Sequence, residues 1–390
     1  MIHSHSGIRT GVDMLYHFSK LRRIDSLRTI CHVIFGLFLT LLLLVGGQLF
    51  RQLTAQEPEI PEVHPADDAQ LSEELPPNYP GRKYRNAFDS AITRSRQAIE
   101  NEPHDAENYL ALADAHIMLW CFGFVPHEQA LPAAKAAVQQ ALRLNEQLAG
   151  AHTALGVVHM SERNWSDAER EFCLALKWEP ERALSHHWYA LFLAAMGRHA
   201  EALAESQTAV TFDPSPGMQT GLGAILYFGH DFKRMIKQMR SVTETDASFA
   251  PGYDWLGMAY VQEHRFAESI AAYLQAVDHS DGLAEMVAGL GHAYAIAGKH
   301  QEARAILAQL NDMSHKWYIP PVQIAYVYVG LGEIDPAVEL LERAYREKSW
   351  ELAFLNVEPW FDDIRSNPRF SDIVSRLNFP DPPEAVPEKP

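Results

Sequence analysis

The sequence predicts an all-α protein, a solenoid of stacked helix hairpins preceded by one transmembrane helix. Three observations carry this. Small residues recur about every 34 positions in three parallel series. One uncharged apolar stretch of 22 residues lies near the start. No segment alternates apolar and polar residues convincingly enough to read as a strand.

The apolar stretch opens at Thr29 and closes at Phe50, centred on residues 33–45. At about 1.5 Å per residue a helix of this length crosses a hydrocarbon core of about 30 Å. Arg9, Lys20, Arg22, Arg23 and Arg28 precede it, and Arg51 follows. That bias keeps residues 1–28 in the cytoplasm as a basic tail and sends the rest outside. The expected place is a bacterial inner membrane, crossed once, with the repeats on the periplasmic side. A cleavable signal peptide is the competing reading, but its charged leader would be 28 residues and its apolar run too long, which favours a retained anchor.

Residues 51–82 read as an extended linker, because Pro58, Pro61, Pro65, Pro76, Pro77 and Pro80 interleave with seven acidic residues. A second Pro/Glu-rich stretch, 380–390, reads as a disordered tail.

The repeats occupy 83–351. Gly156, Ala190, Ala224, Gly257, Gly291 and Ala325 form one series, at intervals of 34 or 33. Ala134, Ala168, Ala202, Ser269, Ala303 and Ala337 form a second, and Ala141, Ala175, Ala209 and Ala276 a third. Two antiparallel helices joined by a short turn approach closely only where side chains are small, and proline after the second helix starts the next unit. Pro103, Pro180 and Pro214 stand at such places, and Gly197, Gly298 and Glu162-Arg163-Asn164 mark turns within units. No hairpin buries both apolar faces alone, so the units must stack. Seven units are expected, beginning near 106, 149, 183, 217, 250, 284 and 318, after a lone helix at 84–101. The first carries nine extra residues, read as an apolar loop around Trp120 to Pro126. Residues 352–379, with Trp360-Phe361 and an amphipathic run to Phe379, read as a cap over the open end.

The run Ala154-Leu155-Gly156, His159, Ala168, Phe172, Ala175, Pro180 resembles the tetratricopeptide-repeat (TPR) pattern almost throughout. The resemblance implies a right-handed α-solenoid that binds other polypeptides. Over 84–379 the chain also looks like a bacterial TPR module familiar behind membrane-bound winged-helix regulators and some serine/threonine kinases. The segment Ser185-His186-His187-Trp188-Tyr189-Ala190 and the capping motif carry that likeness. No winged helix or kinase motif accompanies it here, so the likeness implies a sensing or docking module without its effector.

Charge and chemistry exclude other classes. The 33 basic against 50 acidic residues, net −17, argue against a nucleic-acid partner. Cys31, Cys121 and Cys173 form no CxxC pair, which leaves at most one disulfide, between Cys121 and Cys173. No phosphate loop, HExxH or GxSxG is present, so no enzyme activity is expected. His116 and His159 fall in equivalent places of neighbouring units, as do His152 and His186. They read as polar variants of the aromatics that pack between helices, and neither metal nor cofactor is expected.

The first helix of each unit should line a concave groove. Helical spacing places Ile117, Met118, Met160, His187, Trp188, Phe228, Asp254, Trp255, Met258, His292 and Tyr326 on it. The set is apolar and aromatic, without the Lys, Arg and Asn that clamp a C-terminal carboxylate. Two functions compete: a membrane-anchored scaffold or adaptor holding a protein or peptide partner in this groove, and an extracytoplasmic sensor module lacking its own effector. The oligomeric state is not legible.

Overall fold

The computed structural model describes residues 75–380. The basic tail, the span from Thr29 to Phe50, most of the linker and the last ten residues lie outside it. Among the described residues no helix is long and apolar enough to cross a membrane.

Helix α1 (Arg82–Asn101) precedes seven hairpins. These are α2 (Ala106–Cys121) with α3 (His127–Leu144), α4 (Ala149–Ser161) with α5 (Trp165–Trp178), and α6 (Ala183–Ala195) with α7 (His199–Phe212). Then come α8 (Pro216–Phe228) with α9 (Phe232–Thr245), α10 (Ala250–Gln262) with α11 (Phe266–His279), α12 (Ala284–Ile296) with α13 (His300–Ser314), and α14 (Pro321–Gly330) with α15 (Ile334–Glu347). No strand occurs among the described residues.

The small-residue series are the points where paired helices touch. Ala134, Ala168, Ala202, Ser269, Ala303 and Ala337 are completely buried. A Cβ at Gly156 would lie 2.7 Å from the Phe172 ring, and one at Gly257 2.5 Å from the Tyr273 ring. Tyr273 is held from the other side too, since a Cβ at Gly289 would meet it at 2.2 Å. Large rings therefore fill the space that small residues leave, at interior packing density.

The turns repeat as well. Arg163, Gly197, His230, His264, Gly298 and Gly332 all have φ between 56° and 74°. Around Arg163 the N–H of Asn164 donates to the His159 carbonyl at 2.9 Å and that of Arg163 to Met160 at 3.0 Å. The same pair of bonds recurs at each of the other five turns, the Schellman arrangement that satisfies the last carbonyls of a helix. Two of the chain's histidines are accounted for in this way.

A buried polar triad also repeats. His152 Nδ1 lies 2.7 Å from Glu171 Oε2 and its Nε2 2.9 Å from the Glu146 carbonyl. One unit later His186 meets Glu205 at 2.5 Å and the Pro180 carbonyl at 2.8 Å. Burial opposes the charge on each imidazole, but the carboxylate and carbonyl bonds outweigh it and raise both histidines above the ordinary value.

The insertion is not a loop alone. Helices α2 and α3 have 16 and 18 residues against 13 and 14 in α4 and α5, so the extra residues lengthen both helices as well as the turn. In that turn Phe122 and Phe124 pack on Phe88 at 5.3 and 6.1 Å. Gly123, at φ 67°, lies so close to Pro320 that a Cβ would approach it to 2.5 Å. The start of α1 is tied to the turn after α11, where Gly81 N–H donates to the Asp281 carbonyl at 3.0 Å and Lys83 N–H to Asp281 Oδ2 at 3.2 Å. The Lys83 ammonium also donates to the His279 carbonyl. The coil thus closes on itself, the start of α1 meeting the end of the fifth hairpin and the first hairpin's turn meeting the start of the seventh.

The largest departure from the sequence reading follows α15. Residues 352–379 are not a single cap over the open end. Two 3₁₀ turns, Trp350–Phe354 and Pro359–Ile364, run inside the coil across the first helices, and only α16 (Pro368–Leu377) is an α-helix. Trp350 stands edge-on to Trp120 and Trp188 at 5.5 and 5.7 Å. Phe354 stacks on Phe228 at 4.8 Å with the rings 2° from parallel. Trp360 stacks on His292 at 4.1 Å and stands edge-on to Tyr326 at 4.7 Å. Helix α16 then returns to the outside, where Trp165 Nε1 donates to the Leu377 carbonyl at 3.1 Å and stacks its ring on Phe379 at 5.1 Å.

Candidate functional site: an aromatic, acid-lined cavity

The first helices of the hairpins and the 350–364 segment enclose a cavity of about 520 Å³. Ile117, Met118, His187, Trp188, Phe228, Asp254, Trp255, Met258 and Tyr326, nine of the sequence-predicted site residues, line it. Met160 and His292 do not. Met160 is fully buried where α4 meets the start of the C-terminal segment. His292 is 2% exposed, sandwiched behind Trp360, with Nδ1 2.8 Å from the Tyr326 carbonyl. Since a carbonyl only accepts, the proton sits on Nδ1. Burial holds this imidazole neutral, its pKa lowered to about 4, and does the same for His187. Both positions satisfy the helical spacing for the groove. A facing segment with no repeat register covers them, and spacing alone could not show that.

Sequence reasoning missed a second set of wall residues: Trp350, Glu351, Phe354, Glu358 and Trp360 from the C-terminal segment, Glu285 at the start of α12, and Arg182 at the N-cap of α6. The dense aromatic and acidic run 350–363, placed just after the last repeat, was the available signal. Arg182 corrects the expectation of a wall without basic residues. It faces Asp114, whose carboxyl burial still pushes up to about 7.

Acidic groups dominate the wall. Glu358 is 5% exposed; burial raises its pKa to about 7, although Tyr227 O–H donates to it at 2.6 Å and Trp360 N–H at 3.2 Å. Glu351, with Gln323 Nε2 at 3.4 Å, is raised to about 7 by burial and by Glu285. Glu285 lines the cavity and keeps accessible surface there, and the protein packed around it raises its carboxyl to about 7 as well. Asp254 is raised well above the ordinary carboxylate range, first by burial and then by the neighbouring Glu285. Low dielectric disfavours each charge, and like charges compound the effect. Among the described residues no group of three or more His, Cys, Asp or Glu side chains is placed to hold a metal ion. Cys121 and Cys173 are free thiols.

The fold and its inner wall define a class: an all-α solenoid of helix hairpins. Residues 256–312 match the tetratricopeptide repeat family, and no curated protein matches the chain. Among solved structures, the chain is similar to the APC/C hetero-tetramer Cut9-Hcn1, with 17% identity over 74% of this chain and 52% of that one at a TM-score of 0.51. It also matches a tetratricopeptide repeat protein from Parabacteroides merdae (12% identity, 68% of this chain and 99% of that one, TM-score 0.45) and pilF of Pseudomonas aeruginosa (18%, 52% and 92%, TM-score 0.39). The chain therefore resembles tetratricopeptide-repeat proteins in fold and carries the family's repeat at residues 256–312.

Proposed function

We propose that the chain is a membrane-anchored adaptor that binds a protein partner along the inner wall of its coil. Residues 29–50 hold it in a bacterial inner membrane, with residues 1–28 cytoplasmic and the repeats on the far side. The observation that supports this reading is that the inner wall already grips a polypeptide. The chain's own 350–364 segment lies there, seated by three aromatic anchors, Trp350, Phe354 and Trp360. Aromatic anchors dominate binding at such surfaces. A partner presenting similar side chains docks beside that segment, against Trp255 and Met118, which remain partly exposed. The role is non-enzymatic. The full-length chain, purified from membranes with its companions, should carry a specific protein that Trp255→Ala loses while the variant keeps its melting temperature. Recovery of the same companions with wild type and variant would refute it.

A second reading, a sensor without its own effector, is favoured by a cavity of small-molecule size on the inner wall. It requires the basic tail to contact a separate output protein. Deleting residues 1–25 with topology preserved should then abolish the phenotype, and an intact phenotype would sink it.

A further inference from the structure

Asp254 is a carboxylate without a counterpart. It is 6% exposed and lines the cavity. Among the described residues nothing donates a hydrogen bond to it and no cation pairs with it, and the charge that bears on it is that of Glu285, another carboxylate. Arg182 is engaged elsewhere, facing Asp114 and pairing with Glu179 at 3.4 Å. Buried carboxylates in folded proteins are ordinarily hydrogen-bonded or paired. Here the partner is missing on the side that opens into the cavity.

We infer that the cavity is a binding site for a small organic cation, an ammonium or guanidinium group carried on an apolar body. Asp254 and Glu285 supply the counter-charge once the bound cation favours their ionised forms over the protonated ones that burial alone prefers. Trp188, Trp255, Trp360 and Tyr326 also line the cavity, and aromatic rings attract cations. The volume, about 520 Å³, falls within the range of small-molecule sites. A hard divalent ion fits poorly. It seeks about six or more oxygen ligands, and no group of three candidate ligands converges among the described residues. A polypeptide carrying a basic residue fits less well than a small molecule, because the 350–364 segment already occupies the path an extended chain would take. The cavity shares Trp255 and Met118 with the surface proposed for a protein partner, so the test reads small cations on the chain alone and its outcome does not depend on that partner.

The test uses the full-length chain with two cations, phenethylamine and benzyltrimethylammonium, and the neutral 2-phenylethanol. Calorimetry and tryptophan fluorescence read binding, since four of the wall's rings are indoles. Both cations should bind saturably and at least about tenfold more tightly than the alcohol, and Asp254→Asn should remove that difference. Glu285→Gln should weaken the cations in the same direction. Asp254→Asn keeps the shape and removes an unpaired buried acid, so its melting temperature should hold or rise, which guards against misfolding. The proposal is overturned if the alcohol binds as well as the cations, if neither cation binds up to about 10 mM, or if Asp254→Asn leaves the cation affinities unchanged. It is equally overturned if a lysine-containing hexapeptide binds more tightly than both small cations, which would assign the site to a polypeptide.

Discussion

Phe354→Ala tests whether the C-terminal segment is a structural part of the coil's interior. Phe354 is 6% exposed, stacked face to face on Phe228 at 4.8 Å and edge-on to Trp350 at 5.1 Å. Truncating a buried phenylalanine costs about 3–5 kcal/mol, from lost transfer energy and the cavity left behind. Each of its two ring pairs adds about 0.5–1.5 kcal/mol beyond area burial, so the upper half of the first range is expected. A solenoid need not unfold in one step, so the readout should resolve position. Hydrogen exchange should show 350–364 losing protection first, with α6 and α8 following. The control is Leu274→Ala, at a side chain 47% exposed on α11, which should cost less than about 0.5 kcal/mol. If Phe354→Ala changes exchange in the segment no more than the control does, the segment is not held by these rings and the picture of a filled inner face is wrong.

Tyr273 offers an opposed pair of predictions. Its hydroxyl is buried without a partner, so Tyr273→Phe should be neutral or stabilising in a urea melt. Gly289→Ala drives a methyl into the same ring and should cost about 1–3 kcal/mol. At the turns, His264 holds φ 56°. Gly there removes roughly 1–2 kcal/mol of left-handed strain but loosens the unfolded chain, so His264→Gly should gain roughly 0.5–1 kcal/mol. Stability should also rise as pH falls from 8 to 6.5. Glu358 and the other wall carboxylates at about 7 keep a proton in the fold that the unfolded chain releases near pH 4. Their ionisation opposes folding above that value, and the cost grows until pH 7 is passed. His152 and His186 act in the same sense, since a raised histidine loses its stabilisation as pH climbs. Below pH 6.5 the trend should flatten, because His116, His187 and His292, lowered to about 4, must stay neutral in the fold while the unfolded chain protonates them. Thermal melts across this range should show a shallower slope for Glu358→Gln, and an unchanged slope would count against the buried acid.

The sequence by itself determined the hairpins. Helix pairing needs small residues at the crossing point, and that demand repeats with the unit, so Gly156, Ala168 and their equivalents stand in register and can be read directly. The turns were half legible: Gly197 and Gly298 announce a left-handed residue, whereas His230 and His264 adopt it without announcing it. The inner-wall residues on first helices followed from helical spacing, because neighbouring units present the same face.

Only the tertiary structure decided what that wall encloses. The contacts that fill it join Phe354 to Phe228, Trp360 to His292 and Gly81 to Asp281, pairs set apart by 68 to 200 positions with no periodicity to betray them. Whether Asp254 faces open solvent or an acid-lined cavity depends on how far the coil winds before it meets itself. That curvature accumulates from small rotations between stacked units, each fixed by packing across hairpins, and the repeat spacing does not encode it.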